Sequence, residues 1–456
     1  MRGAAQPARR IASPDMAMNW RREILRLAVP AFLALVIEPL FLLTDSAIVG
    51  HLGTAPLAGL GVASAVLLTA VNIFVFLAYA TTSVVARSLG AGSERAALAA
   101  GVDGLWLALG LGVVTAVVVD VFAASLCAGL GATGSALTQA VTYLRVAAYG
   151  IPGMLVVLAT TGVLRGLQDT RTPLVAAVGG FGANIVLNLW FVLGLRMGIA
   201  GSALGTAIAQ TGMGLALGIV LAAKARRAGA PLRAHPAGVL AAARGGAPLL
   251  VRTLALRAWL VLTTWLAAGF GVTVLASHQV VSTLWSFLAF ALDALAIAGQ
   301  AITGRLLGAG DTEGTRAATT VMVRWGVGAG VVLGLAVAAL HTVLPALFSA
   351  DPDVRSAVAA GLLVVAAQQP LTGYIFVADG ILIGAGDGRW LAGAMAVSLA
   401  AYLPAMWAVH AIGHSWSAGP GTALVLLWLG MTWFLIVRGA LMGWRLNRED
   451  WMVTGA

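Results

Sequence analysis

Four residues in the first long apolar run have the types and spacing to couple a cation to a movement: Pro30, Glu38, Pro39 and Asp45. Glu38 and Asp45 stand seven positions apart, which on a helix puts them on one face, about 10 Å from each other along the axis. A carboxylate among apolar side chains is tolerated when it is protonated, paired or wetted. Losing its proton creates a charge that favours a hydrated or cation-bound conformation, and that preference is a coupling device. Pro30 and Pro39 each remove a helix hydrogen bond, so we expect this helix to bend. A polar pair, Asn184 and Asn188, lies four apart on one face of a later run. Their amides donate to a carboxylate or present carbonyls to a cation. Asp45, Glu38, Asn184 and Asn188 are therefore the expected proton- or cation-coupling site, with plain helix–helix bonding of the asparagines as the alternative. Asp293, the one mid-run acid of the second half, either serves a substrate or anchors to Gln300 or a nearby hydroxyl.

These residues need helices in a membrane to position them. The chain has 456 residues, 60% hydrophobic and 10% charged, against roughly 25% charged in a soluble domain. Apolar runs long enough to cross a bilayer recur along the chain. Reading them between charged or Gly/Pro-rich connections predicts twelve spans, at about 24–50, 57–84, 97–119, 138–165, 173–195, 199–224, 246–269, 275–303, 315–340, 356–383, 391–412 and 418–442. The predicted fold is an all-α membrane protein of two six-helix lobes. Its divisions are an N-terminal tail (1–23), an N-lobe (24–224), a linker (225–245), a C-lobe (246–443) and a C-terminal tail (444–456).

The net charge of +10 invites a nucleic-acid reading, but the basic residues argue against one. They gather before the first run (Arg2, Arg9, Arg10, Arg21, Arg22, Arg26), in the mid-chain connection (Lys224, Arg226, Arg227, Arg233, Arg244) and at the end (Arg438, Arg445, Arg448). Alternate connections carry none, which is the positive-inside pattern and predicts cytoplasmic termini. The bilayer is the expected partner of those charges. The single cysteine, Cys127, excludes an internal disulfide and a cysteine-based metal site, and we read it as a small apolar residue.

The two halves are copies. Arg87-Ser-Leu-Gly-Ala-Gly92 recurs as Arg305-Leu-Leu-Gly-Ala-Gly310, 218 positions on (305 − 87). Gly166-Leu-Gln-Asp169-Thr-Arg171 recurs as Gly384-Ala-Gly-Asp387-Gly-Arg389, and Gly53 with Leu57-Ala58 as Gly271 with Leu275-Ala276, at the same offset. Shared offsets of this kind mark a duplication. Six spans per copy is an even number, so the halves share an orientation and are expected to enclose a cleft and rock about it. We read the Arg-x-x-Gly-Ala-Gly turns as structural, with arginine capping helix ends or meeting lipid headgroups. Shifted by the offset, Glu38 and Asp45 fall on Leu256 and Thr263, and Asn184 and Asn188 on Tyr402 and Met406. The coupling chemistry belongs to one copy alone.

The remaining polar and aromatic residues are less specific. Met154, Trp190, Trp259, Trp265, Trp285 and Phe287, with Asp293 and Gln300, are candidates for a substrate cleft, although lipid-facing or belt positions at the membrane interface are the commoner explanation for such aromatic and sulfur side chains. Asp103, Asp120 and Asp379 lie near span ends, where interfacial solvation is expected. His51, His278, His341, His410 and His414 are scattered over several connections and are read as interfacial, not as a metal site.

At the level of motifs the chain resembles the multidrug and toxic compound extrusion (MATE) family, in particular its DinF-like branch. The resemblance runs from about residue 22 onward. Its specific stretches are Glu38-Pro39-Leu-Phe-Leu-Leu-Thr-Asp45 with Val49-Gly50-His51-Leu-Gly53, Arg165-Gly-Leu-Gln-Asp169-Thr-Arg171-Thr-Pro173, and Leu292-Asp293-Ala-Leu-Ala-Ile-Ala-Gly-Gln300. It implies two lobes in a V and export of small organic molecules, amphiphilic cations above all, driven by proton or sodium entry. It implies no cofactor, a monomer, and a bacterial inner membrane as the location. It further implies a coupling role for Asp45, bending at Pro30, and the fifth-span pair Asn184 and Asn188. Some relatives carry an aspartate where this chain has Asn188, so coupling here would rest on Asp45 and Glu38. A proton is the expected ion, because cation coordination usually recruits more carboxylate oxygen than these residues offer.

Other classes fit less well. The one lysine, Lys224, is followed by Ala225, so there is no Walker A motif and no primary pump. No His-Glu-x-x-His or assembled nucleophile suggests an intramembrane enzyme. A major-facilitator protein would have a longer basic loop after its second span, and a passive channel would not need acids in one copy only. The serious alternative is a lipid-linked precursor flippase of the same wider superfamily. It would line its cleft with cations, for which Arg252, Arg257 and Arg324 are the candidates.

Overall fold

The computed structural model describes residues 14–415 and 419–455. Arg2, Arg9 and Arg10, and the side chain of His414, lie outside the described residues. Every regular element among them is helical, as hydrocarbon demands of a chain that must satisfy its own backbone. The first half comprises α1 (Pro14–Gly50), α2 (Thr54–Asn72), α3 (Phe76–Gly90), α4 (Glu94–Val121), α5 (Ala123–Gly129), α6 (Gly134–Ala148), α7 (Ile151–Gly166), α8 (Arg171–Asn188) and α9 (Ile199–Arg227). The second comprises α10 (Pro236–Gly269), α11 (Val272–Gly308), α12 (Thr312–Leu340), α13 (Pro352–Gly384), α14 (Gly388–Ser415) and α15 (Pro420–Asn447). Eleven helical stretches are long and apolar enough to span, with α2 and α3 joined in one; the bent pair α6 and α7 makes a twelfth.

That bent pair occupies the place of the fourth expected span, 138–165. It turns by 52° at its break, next to Pro152, whose ring denies the helix a donor. The repeat partner, Pro370, lies inside the unbroken α13. The difference sits two residues earlier. Gly150 packs against the Ala207 backbone of α9, whereas the second half has Gln368, whose side chain accepts from Thr432 at 2.8 Å. Pro30 and Pro39 both lie within α1, which stays helical through them.

The duplication is legible in contacts as well as in letters. Ser93 and Asp311 are repeat partners, and each accepts from the backbone of the helix it opens, Ala96 N at 3.2 Å and Gly314 N at 2.7 Å. Gly162 of α7 lies on Ala78 of α3, and its copy Gly380 of α13 lies on Ala296 of α11. Gly112 and Gly330 rest on Pro152 and Pro370 in the same way. Asp169 and Asp387 each catch a basic residue of the last helix of their own half, Lys224 at 3.5 Å and Arg445 at 2.7 Å.

The halves meet as two lobes. The first helix of each leans on the other: α1 on α11 and α12, α10 on α3 and α4. At the end of the bundle bearing the Gly-Ala-Gly turns, α3 and α11 cross so closely that a side chain on Gly90 would enter the Arg305 carbonyl. One on Gly308 would enter that of Arg87. Gly92 and Gly310 then reverse the chain at φ 83° and 77°, a region costly for other residues. The hydrogen bonds between lobes, among the described residues, all lie in the half of the bundle nearest these turns. The lobes diverge toward the opposite end.

These contacts predict matched costs. Gly162→Ala and Gly380→Ala should each cost about 1–3 kcal/mol through overpacking, read as earlier thermal unfolding in detergent. Gly61→Ala, with open space beside it, should not. At Asp169, burial opposes the charge. The Thr172 backbone N–H and hydroxyl and the Lys224 ammonium outweigh it and hold the carboxyl below its ordinary range. Its stabilisation is therefore complete above about pH 4 and is lost as pH falls further. The melting difference between wild type and Asp169→Asn should be present at pH 7 and shrink below about pH 4.

Candidate coupling site and interlobe seam

Asp45 lies one turn and a half from the end of α1, turned into the N-lobe and 3% exposed. Asn188 at the end of α8 donates through Nδ2 to Asp45 Oδ1 at 2.5 Å. The Thr206 hydroxyl of α9 donates to Asp45 Oδ2 at 3.2 Å and accepts from Asn184 Nδ2 at 3.1 Å. Asn188 also donates to Asn184 Oδ1 at 3.3 Å. All four side chains are buried. Tyr143 of α6, equally buried, points its hydroxyl toward Thr206 and Ser64 beside the carboxylate.

Local sequence explains how they meet. Gly205 leaves room for Asn188, whose Oδ1 occupies the space a Cβ would fill. That oxygen is buried without a hydrogen-bond partner, a free acceptor next to the carboxylate. Directly after Asn188 the helix widens into a π-helical turn, Leu189–Gly194, a feature that recurs at functional positions. The cluster can exchange a proton at Asp45 and present amide, hydroxyl and carboxylate oxygens to whatever occupies it. Thr206 and Tyr143 escaped the sequence reading. Their signal was the test that singled out Asp45: at the repeat offset they become Leu424 and Gly361.

In the second lobe the same helix contact survives without charge. Thr263 and Tyr402, the repeat partners of Asp45 and Asn184, hydrogen-bond at 2.8 Å. Phe434 stacks on Trp259 at 4.3 Å, and Trp285 packs edge-on to Trp259 at 6.0 Å. Trp285 thus belongs to the C-lobe interior. Trp190 is exposed and stacks on Phe191; Phe287 is half-exposed; Met154 packs on the N-lobe core.

Glu38 does not join Asp45. The structure leaves it exposed on α1, its charge acting across the gap on that of Arg257 of α10. Asp293 also lies elsewhere, beside the Tyr79 hydroxyl in the seam. Gln300, expected near a substrate, donates instead to the Tyr79 carbonyl at 2.6 Å, tying the lobes. Asp379 corrects the expectation of interfacial solvation. It is 6% exposed, paired in a fork with Arg252 and with Arg438 at 3.0 Å. Arg252 also lies over the Tyr79 ring, 5.8 Å from its centroid. The charges of Arg165, Arg252, Arg257, Arg438, Asp293 and Asp379 all act on Tyr79. Among the histidines, His278 departs from expectation: it is buried in the C-lobe beside Trp428, 5.8 Å between ring centroids. No group of three or more metal-ligating side chains forms among the described residues.

The MatE family profile matches residues 30–190 and again 248–407, one copy in each half. The chain belongs to the MatE family. It is similar to the DNA damage-inducible protein F of Escherichia coli, at 28% identity over 91% of this chain and 89% of that protein. It is also similar to Protein DETOXIFICATION 44, chloroplastic, of Arabidopsis thaliana, at 31% identity over 93% and 82%. In fold it matches the crystal structure of the Vibrio cholerae MATE transporter VcmN in its bent form, with a TM-score of 0.85, 22% identity and coverage of 96% and 99%. This MatE protein is thus a multi-pass membrane protein of a multidrug and toxin efflux family, a transporter and not an enzyme.

Thr206→Val and Asn188→Leu each remove one donor to Asp45, an interaction with a charged group worth about 1.5–3 kcal/mol. Each should weaken gradient-driven transport by roughly tenfold or more at fixed gradient. Tyr402→Phe, at the neutral copy, should leave it within about twofold; a loss equal to that of Thr206→Val would remove the distinction between the lobes.

Proposed function

We propose that this MatE protein is a secondary exporter that works by alternating access, driven by proton entry at Asp45. The observation that carries this is the single buried carboxylate met by Asn188 and Thr206, in a lobe whose copy holds Thr263, Met406 and Leu424 at those positions. A proton is favoured over sodium because one carboxylate supplies the only full charge to the cluster. Protonation removes that charge and the demand for its donors, so α1 is free to move against α8 and α9. Glu38, out of contact with the cluster, would act on the cleft through Arg257. The basic residues near both termini support a cytoplasmic placement of the turn end, and the resemblance suggests a bacterial inner membrane and a monomer.

A second reading concerns the substrate. The resemblance suggests amphiphilic cations. The seam favours a different charge: Arg165, Arg252, Arg257 and Arg438 gather there, and Arg165 and Arg257 form no ion pair among the described residues. Such a surface supports a ligand bearing an anionic group, as a lipid-linked precursor would.

Proteoliposomes with an imposed pH gradient test both. Gradient-driven movement abolished by Asp45→Asn is the expected result; movement unaffected by Asp45→Asn, or indifferent to pH, would overturn proton coupling at this residue. Offering a cationic dye and an anionic headgroup-labelled lipid to the same vesicles decides the substrate. Transport of the anion, weakened by Arg257→Gln, supports the second reading, and transport of the dye alone rejects it.

A further inference from the structure

Arg87 and Arg305 are one residue of the ancestral repeat, placed on either side of the closest backbone crossing between the lobes. Neither caps its own helix as the sequence suggested. Arg87 reaches from the N-lobe to the C-lobe, donating through Nη1 to the Ala385 carbonyl at 2.9 Å. Through Nη2 it donates to the carbonyls of Val453 at 2.8 Å and Gly455 at 2.6 Å. Arg305 reaches the other way, donating to Glu23 of α1 at 2.7 Å, and Gln168 donates to the same Glu23 oxygen at 3.4 Å.

The segment 449–455 holds Arg87 because it is itself bound to the C-lobe. Glu449 makes a two-pronged pair with Arg316 at 2.6 and 2.5 Å. Trp451 is buried, with its indole N–H on the Leu446 carbonyl. The Gly455 N–H donates to the Leu307 carbonyl at 3.0 Å. The hydrogen bonds of this strap to the N-lobe, among the described residues, all run through Arg87. A cavity of about 380 Å³ beneath it, lined by Ser83, Arg87, Asp387, Arg445 and Trp451 among others, separates the rest of the strap from close packing on α3.

We infer that Arg87 and Arg305 are paired latches that hold the lobes shut at the turn end, and that the 449–455 strap is the keeper of the Arg87 latch. The inference rests on the alternating-access reading, in which this end must part. The two latches share geometry but differ in chemistry. Arg305 is held by a carboxylate, half open to solvent, and is weakened by salt. Arg87 is held by three backbone carbonyls, and two of them, of Val453 and Gly455, are in place only while the strap is docked. Release of the strap therefore weakens one latch without touching the other.

Spin labels at Arg95→Cys and Glu313→Cys, exposed repeat partners at the starts of α4 and α12, would report the separation of the lobes at this end in the full chain in nanodiscs. The wild type should give one dominant short distance. Arg87→Gln, Arg305→Gln and Trp451→Ala should each raise the long-distance population at least threefold, and Arg87→Gln with Trp451→Ala should add little to either alone. Arg389→Ala, an exposed arginine at the same end, should change nothing. Unchanged distances in folded, monodisperse Arg87→Gln and Trp451→Ala, or equal broadening in Arg389→Ala, would overturn the latch. The distance readout needs no gradient or substrate. A failed transport assay therefore counts against the proposed function alone, and unchanged distances in an actively transporting protein against the latch alone.

Discussion

A carboxylate buried inside an apolar lobe has to be met by hydrogen-bond donors, and much of the N-lobe interior is arranged around that demand. Asp45 comes from α1, Asn184 and Asn188 from α8, Thr206 from α9 and Tyr143 from α6. Gly205 clears the space for Asn188, and the helix changes pitch directly after it. Each helix thus contributes a polar group at one level of a lobe that is otherwise built from small and apolar residues. In a medium without water an unmet polar group is expensive, so such clusters bind their helices together as long as the charge is present. The same cluster ceases to hold them as firmly once the charge is neutralised.

The second lobe shows what the duplication preserved and what it changed. Glycine crossings, proline positions and helix caps recur with the same partners, and the two aspartates grip their last helices through different basic residues. The polar contact between the first and fifth spans also recurs, as the hydroxyl pair of Thr263 and Tyr402. A hydroxyl pair packs two helices without offering a titratable group. The scaffold is therefore twofold, and the buried titratable group of this contact is one-sided.

Between the lobes the seam is built from charges paired by contact and charges that act at a distance. Asp379 is enclosed by Arg252 and Arg438, the arrangement a buried carboxylate needs if it is to stay ionised. Arg257 and Glu38 instead act on each other's charge without an ion pair between them among the described residues. At the turn end, arginine guanidiniums cross from lobe to lobe onto carbonyls and one carboxylate. These side chains add to the close backbone crossing of α3 and α11 at Gly90 and Gly308. Side-chain bonds can be broken and remade as units while each lobe stays rigid.

From the sequence alone come the helical class, the membrane, the two related halves and the confinement of Glu38 and Asp45 to one of them. Those follow from hydropathy, from the need of the backbone to bond itself, and from repeat offsets, all of which are written along the chain. The pairing of Asn184 with Asn188 was legible because helical periodicity reports residues on one face. Periodicity says nothing about which other helix that face meets. Hence Thr206 and Tyr143 went unseen, Glu38 was grouped with an Asp45 it does not touch, and Asp379 was assigned to solvent when two arginines enclose it. The reach of Arg87 and Arg305 was equally hidden, since a long flexible side chain can cap its own helix or cross to a neighbour. Interhelical register and the approach of the lobes decide between those outcomes, and they exist only in the folded chain.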